Sequence, residues 1–188
     1  MKTDYEPLFQ VRAETGISAP PDVVYAIVTD LSRSGEWSPE CTGGKWITGI
    51  PGTVGAIFQG DNRREMDVVA WAPVVRGTWS TTCEVVAAEP GRIFSWAMRD
   101  SSGRRQDSVW TYEFTGAGDG GCRLVHRFRM GAPTEGIRSI TAGLTPADRR
   151  RFFADWSGKL ADDLATTLAR IKTVIETSGT GPESGTPR

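Results

Sequence analysis

Residues 145–176 read TPADRRRFFADWSGKLADDLATTLARIKTVIE, and no other segment carries so long an uninterrupted helical pattern. Thr145 is a suitable N-cap, Pro146 occupies the first turn, and Asp148 lies near the positive end of the helix dipole. Apolar residues recur at intervals of three or four, which places them on one face: Phe153, Trp156, Leu160, Leu164, Leu168, Ile171 and Ile175. A helix of this length extends about 45 Å and needs a long apolar partner.

The segments upstream of this helix predict an antiparallel sheet as its partner. Four segments alternate between apolar and polar residues and are joined by short glycine-containing turns: 78–88, 92–99, 108–115 and 122–130. Short turns between alternating segments are typical of hairpins rather than of parallel crossovers. The large apolar side chains share one side of these strands, so we expect one apolar face and one solvated face.

The remaining segments complete an α+β domain. Residues 9–17, 45–48 and 54–60 have strand patterns, and two short helices are expected after the first strand, the first opening at 18–22 and the second at 30–37. Pro73 excludes a central strand, so 62–75 is interpreted as a strand end followed by a loop over one end of the fold. We expect one domain at 9–176, an N-terminal extension at 1–8 and a disordered Gly/Ser/Thr/Pro-rich tail at 177–188.

Composition excludes several functional classes. A formal net charge of −1 over 188 residues does not favour a nucleic-acid partner. The chain has no apolar segment of membrane-spanning length and no secretory leader pattern, so stable membrane insertion is not expected and the cytoplasm is the expected location. Cys41, Cys83 and Cys122 are scattered, as expected for reduced thiols. The sequence contains no metal-ligand or cofactor motif, so neither is expected.

Aromatic residues on the predicted apolar face favour a ligand cavity. The chain contains seven tryptophans, more than a core of one sheet and one helix requires. A strongly twisted sheet on one long helix can leave a gap, and flat rings suit a flat or polycyclic apolar ligand. The residues predicted to line this cavity are Trp37, Phe58, Trp79, Phe94, Trp96, Trp110, Phe114, Phe128 and Trp156.

Two inward-facing polar residues are candidate catalytic groups. His126 is the only histidine, and alternation places it between Leu124 and Phe128 on the apolar side. It is either a general acid or base within the cavity or a hydrogen-bonded core histidine. Tyr112 faces the same way, and its phenol either donates to an enolising carbonyl or is a satisfied core hydroxyl.

Three further motifs allow both a functional and a purely structural interpretation. Residues 116–121 match GxGxxG, but they join two strands and offer no helix N-terminus to a phosphate, so a nucleotide site is rejected. The segment 61–64 either places an arginine at the cavity mouth, facing a ligand carboxylate or carbonyl, or is a solvated strand end. Residues 149–151, three arginines, are a basic partner site or a solvated helix face.

The order of elements, with APPDVVY at 19–25, EWSPE at 36–40 and CEVVAAEPGR at 83–92, resembles the START-like (SRPBCC) superfamily and its polyketide cyclase/dehydrase-like branch. The resemblance covers residues 9–176 and implies a helix-grip fold, a curved antiparallel sheet wrapped around a long C-terminal helix. It also implies a cavity for a small apolar molecule such as a lipid or polyketide. The apolar insertion at 66–75 departs from the family pattern and affects one cavity mouth.

Three functions follow from this resemblance. The first is a metal-independent cyclase or dehydratase, a lyase- or isomerase-type enzyme in which His126 and Tyr112 handle enolisation of a poly-keto substrate. The second is a non-catalytic lipid or metabolite carrier or sensor. The third is a co-chaperone-like protein-interaction module, which predicts a filled core and an exposed apolar patch at 66–75.

Overall fold

The computed structural model describes residues 6–178, so most of the predicted extension at 1–8 and tail at 177–188 lies outside the described residues. The elements follow one another as β1 (Phe9–Ile17), α1 (Pro21–Val28), a 3₁₀ helix (Leu31–Glu36), β2 (Cys41–Thr48), β3 (Ile57–Arg64), β4 (Gly77–Glu89), β5 (Ile93–Arg99), β6 (Arg105–Gly116), β7 (Cys122–Met130), α2 (Glu135–Thr141) and α3 (Pro146–Ser178). None of the described helices is both long and apolar enough to cross a membrane.

The seven strands form one antiparallel sheet in the order β1-β7-β6-β5-β4-β3-β2. Consecutive hairpins connect β2 through β7, and β1 pairs with β7 to complete the sheet. Together with the long C-terminal helix, this confirms the predicted α+β helix-grip architecture. The register places Tyr112 opposite His126 and Trp96 opposite Trp110, so aromatic side chains meet across neighbouring strands.

Helix α3 begins where the sequence predicts. The Thr145 hydroxyl accepts a hydrogen bond from the Asp148 amide at 3.1 Å and donates one to its carboxylate at 2.7 Å. One residue of the predicted stripe differs, since Phe152 is fully buried and Phe153 only partly. Phe152 lies four residues before Trp156 and is therefore closer to the centre of the stripe than Phe153.

The long helix covers only one side of the sheet. It packs most closely on β1 and β7, at one edge of the sheet, and also contacts α1 and the 3₁₀ helix. The buried apolar residues consequently form two clusters. One lies around α1 and the C-terminal half of α3 with Leu168 and Ile171, and the other around α2 and the N-terminal half of α3 with Phe152 and Trp156. Space for a cavity remains between the two clusters.

Several elements differ from the sequence prediction, and among them β2 begins at Cys41 rather than at residue 45 and β6 at Arg105 rather than at residue 108. Strand β3 runs from Ile57 to Arg64 rather than over 54–60, because Val54 belongs to a turn in which Gly49 and Gly55 have positive φ and its side chain is exposed. Helix α2 was not predicted, since its seven residues offer little periodicity. Its N-cap is Thr134, whose hydroxyl accepts a hydrogen bond from the Ile137 amide.

The segment 65–76 is a loop that packs on the N-terminal half of α3, as predicted for a strand end followed by a loop. Ala72 and Val74 are buried against α3, so the segment belongs partly to the core. Arg76 holds the loop by donating hydrogen bonds to five backbone carbonyls, those of residues 66, 68, 69, 72 and 74. The loop therefore closes one end of the space under the sheet.

Candidate ligand-binding site

A cavity of about 300 Å³ lies between the concave face of the sheet, α2, α3 and the 3₁₀ helix. The strand alternation directs the large side chains of β4 to β7 into this space. Eight of the nine predicted cavity residues line it: Trp37, Phe58, Trp79, Phe94, Trp96, Trp110, Phe128 and Trp156. Its volume is at the lower end of the range for small-molecule sites.

Phe114 lies outside the cavity. It is buried in the cluster under α1, where its ring centroid is 5.3 Å from that of Tyr25. The continuing twist of β6 carries its end under α1 and away from the cavity, which alternation alone does not reveal. Trp71 also lies outside the cavity lining, where it packs on Phe152 and donates a hydrogen bond to Asp155.

The cavity floor is a continuous aromatic surface. Trp96 and Trp110 lie nearly parallel, with ring centroids 6.4 Å apart and planes 10° apart. Phe94 extends the surface beyond Trp96, and Phe128 lies 4.3 Å from Trp110 between centroids. Flat rings presented side by side favour a flat apolar ligand over a flexible branched one.

His126 lies in the floor with neither ring nitrogen hydrogen-bonded to any described residue. Its imidazole stacks on Tyr112 and is flanked by Trp110 and Trp96. Burial lowers the pKa of His126 to about 3, so the ring is neutral near pH 7. A neutral imidazole offers one hydrogen-bond donor and one acceptor.

Tyr112 is the second polar group of the floor. Burial raises the pKa of its phenol above the ordinary value, so the hydroxyl stays protonated and able to donate. No hydrogen bond to this hydroxyl occurs among residues 6–178. Ser108, also on the cavity wall, has a buried hydroxyl without a partner in the same part of the chain. Polar groups left unpaired in an apolar wall are costly unless a ligand or water reaches them.

Four charged residues, here called the charged quartet, form a linked set of ion pairs beside the cavity: Glu40, Arg64, Lys159 and Asp163. Glu40, Arg64 and Asp163 line the cavity wall, and Lys159 pairs with both carboxylates. Arg64 binds Glu40 through two hydrogen bonds, Nε to Oε1 at 2.6 Å and Nη2 to Oε2 at 2.8 Å, and donates a third to the Val75 carbonyl at 2.8 Å. Lys159 bridges Glu40 and Asp163. The quartet thereby joins β3 and the segment before β2 to α3.

Two indole rings cover the Arg64 guanidinium. Its Cζ atom lies 4.4 Å from the ring centroid of Trp79 and 4.9 Å from that of Trp156. Arginine stacks on aromatic faces because the ring quadrupole attracts its charge. The arginine that the sequence offered as a mouth cation is therefore in the cavity wall, and its charge is already paired.

The pKa values of the two carboxyl groups of the quartet are shifted in opposite directions. Burial alone would raise the pKa of Glu40, but the hydrogen bonds from Arg64 and the charge of Lys159 outweigh it, so the pKa of this carboxyl lies below its ordinary value. Burial raises the pKa of Asp163 above its ordinary value, and Lys159 opposes this only in part.

Sequence reasoning missed three of these four residues. In the sequence, Glu40 appears only within EWSPE at 36–40, and Lys159 and Asp163 have the spacing of an ordinary i, i+4 ion pair on a charged helix face. Both lie one helical turn from apolar stripe residues, Trp156 and Leu160, which was the available signal. Their meeting with Glu40 depends on tertiary contacts across more than a hundred residues.

The other sequence candidates lie away from this site. Residues 116–121 form the β6–β7 turn, and the side chains of residues 149–151 are exposed at the start of α3. Burial raises the pKa of the Cys83 thiol to about 12 and that of Cys41 above its ordinary value, so neither thiol is reactive near pH 7. Within residues 6–178 no group of histidine, cysteine and carboxylate residues has metal-binding geometry.

The comparisons with known proteins agree with this architecture. A family model described as "Polyketide cyclase / dehydrase and lipid transport" matches residues 9–176. The solved structure of the Polyketide_cyc-like protein Cgl2372 from Corynebacterium glutamicum is 27% identical, with a TM-score of 0.58 over 94% of this chain and 97% of that one. No curated protein matches the sequence significantly.

Two more distant structures share the fold alone. Protein SA2116 of unknown function from Staphylococcus aureus is 12% identical, with a TM-score of 0.62 over 92% of this chain and 98% of its own. The di-domain ARO/CYC StfQ from the steffimycin biosynthetic pathway is 15% identical, with a TM-score of 0.58 over 91% of this chain. This chain spans 52% of that di-domain protein.

Proposed function

The chain belongs to the polyketide cyclase/dehydrase and lipid-transport family, and from this membership we propose that its cavity binds a small hydrophobic molecule with a flat or polycyclic body. The observation that carries the proposal is the cavity of about 300 Å³ whose floor is built from Trp96, Trp110, Phe94 and Phe128. Such a floor supplies apolar contact area, and a few polar groups in it orient a ligand.

As an enzyme, the protein would act on a poly-keto substrate by cyclisation or dehydration. The cavity would hold one folded conformer of the substrate and bring its reacting carbons together. Tyr112, protonated and without a partner among the described residues, is the group that would donate a hydrogen bond to an enolising carbonyl oxygen. Neutral His126 would orient the substrate through its one donor and one acceptor nitrogen, or act as a base.

The test of ligand binding is native mass spectrometry on the purified protein, followed by denaturing extraction of any retained molecule. We expect a retained apolar compound, or a mass shift after soaking with aromatic polyketides or lipids. An unchanged apo mass under every soak would contradict ligand binding. The retained compound identifies the chemical class for a turnover assay.

Turnover separates catalysis from transport. Tyr112→Phe removes the proposed donor, whereas Tyr25→Phe is the matched control, since Tyr25 packs against Phe94 and Phe114 outside the cavity lining. If the protein is an enzyme, we expect Tyr112→Phe to lower kcat while the affinity for the ligand changes little. Full activity of both Tyr112→Phe and His126→Ala would end the catalytic assignment.

The second candidate is a non-catalytic carrier of a lipid or metabolite, and the state of the polar groups favours it. His126 is not protonated near pH 7, and the cations of the quartet are already paired with carboxylates. A carrier predicts that the bound molecule is recovered chemically unchanged after prolonged incubation. The interaction module predicts a filled core and an exposed patch at 66–75. The patch is exposed at Met66 and Val75 and buried at Ala72 and Val74, and the cavity disfavours this alternative.

A further inference from the structure

We infer that the ligand of this cavity is uncharged, and that the charged quartet excludes carboxylate-bearing molecules such as fatty acid anions. The inference rests on the proposed function, since it specifies the class of molecule that the same cavity accepts. It follows from the pairing, burial and net charge of Glu40, Arg64, Lys159 and Asp163.

Both cations of the quartet are already engaged by internal partners. Arg64 gives Nε and Nη2 to Glu40 and Nη1 to the Val75 carbonyl, and its Cζ atom lies over the rings of Trp79 and Trp156. Its side chain is only 7% exposed. Lys159, 13% exposed, is bound by Glu40 and by Asp163. A ligand carboxylate would have to displace one of these internal carboxylates to be paired.

The charges of the wall also balance. Two cations face two carboxylates, so the quartet as a whole does not attract an ion of either sign. Moving an unpaired carboxylate out of water is strongly unfavourable when no opposite charge compensates it. The remaining polar groups of the cavity, the phenol of Tyr112 and the neutral ring of His126, form hydrogen bonds with uncharged carbonyl or hydroxyl groups at much lower cost.

A matched pair of probes tests the inference. 2-Naphthamide and 2-naphthoate have the same shape and the same aromatic body, and at pH 7.5 only the second is charged. We expect the full-length protein to bind the amide at least about tenfold more tightly by isothermal titration calorimetry. Equal affinity, or tighter binding of the carboxylate, would overturn the inference while leaving ligand binding by the cavity supported.

Substitutions in the quartet test whether it causes the selectivity. Glu40→Gln removes one carboxylate charge and keeps an oxygen that accepts from Arg64, so the wall gains a net positive charge. We expect the preference for the amide to fall by about tenfold or to reverse. The control is Glu14→Gln, which changes the net charge equally on the outer face of the sheet, where Glu14 pairs with Arg12 and Arg123. This control should leave the preference unchanged.

The test does not depend on the stability of one variant. Circular dichroism checks each variant, and Asp163→Asn provides a second way to give the wall a positive charge if Glu40→Gln is unstable. An unchanged preference in folded variants of the quartet would overturn its assigned role. Binding of neither probe to the native protein at millimolar concentration would contradict the proposed ligand site itself, and with it this inference.

Discussion

The imidazole of His126 lies face to face with the phenol ring of Tyr112, with ring centroids 4.2 Å apart and planes 23° apart. The pair occupies directly opposed positions on β6 and β7. Both residues are almost completely buried. The stacking keeps the imidazole in an apolar environment, where its charged form is disfavoured.

This environment makes the stability of the native protein sensitive to acid. The pKa of His126 is about 3 in the folded state and about 6.5 in the unfolded chain, so the unfolded chain binds the extra proton between these values. The contribution of neutral His126 to the free energy of unfolding is therefore fully present above about pH 6.5, and it is lost as the pH decreases toward 3. We expect His126 to account for a loss of about 3 kcal/mol between pH 7.5 and pH 4.5.

The measurement is urea unfolding of the native protein and of His126→Phe at the two pH values. Phenylalanine preserves the stacking on Tyr112 and cannot be protonated. The variant should lose less stability on acidification by about that 3 kcal/mol, since the carboxylates titrate alike in both proteins. An identical pH dependence in the two proteins would show that His126 does not carry the effect.

The buried pair of Arg64 and Glu40 predicts a large difference between two glutamate substitutions. Glu40→Ala leaves a guanidinium in the cavity wall without its carboxylate, which we expect to lower the free energy of unfolding by about 3–5 kcal/mol. Glu14→Ala removes an exposed pair and should cost less than about 1 kcal/mol. Thermal and chemical unfolding of both variants provides the comparison, and similar costs would contradict the structural role of the quartet.

Arg76 is predicted to hold the loop 65–76 against α3. In Arg76→Ala five backbone carbonyls lose their donor, and we expect faster amide hydrogen exchange at residues 66–75 together with a loss of about 2 kcal/mol. Arg150→Ala, at an exposed position of α3, is the control and should change neither quantity. Unchanged exchange in the loop of Arg76→Ala would show that the apolar contacts of Ala72 and Val74 suffice.

Gly49 and Gly52 of the β2–β3 turn allow the cost of a positive φ to be compared with the cost of a steric clash. Both have positive φ, +84° at Gly49 and +75° at Gly52. A Cβ at Gly49 would lie 2.9 Å from the Ala56 Cα atom, whereas a Cβ at Gly52 meets nothing within 4 Å. Gly52→Ala should cost about 1 kcal/mol and Gly49→Ala clearly more. Urea unfolding of the two variants tests the order, and equal costs would contradict it.

Local pattern predicted much of the fold. The spacing of Trp156, Leu160 and Leu164 on α3 and the alternation in β4 to β7 placed the large side chains on the inner side of the domain. These predictions succeeded because helix and strand periods are properties of consecutive residues. The exceptions, α2 and the start of β3, lie where glycines and short length weaken the periodicity.

The cavity residues could be predicted only in part. The alternation of the strands identified His126, Tyr112 and the aromatic floor. The same pattern placed Phe114 in the cavity lining, because alternation carries no information about strand twist. Arg64 was recognised as a candidate cation without its partner Glu40. The position of Lys159 and Asp163 beside the apolar stripe of α3 was a local signal of partial burial, but it did not indicate Glu40 as their partner.

The long helix, the hairpin order and the inner face of the sheet follow from local sequence, because each depends on a repeat among neighbouring residues. The cavity between two core clusters and the balanced quartet of charges beside it emerge only from the folded domain. These features arise where segments distant in sequence meet. Burial then pairs Arg64 with Glu40 and keeps His126 neutral, since charge in an apolar wall must be either compensated or removed.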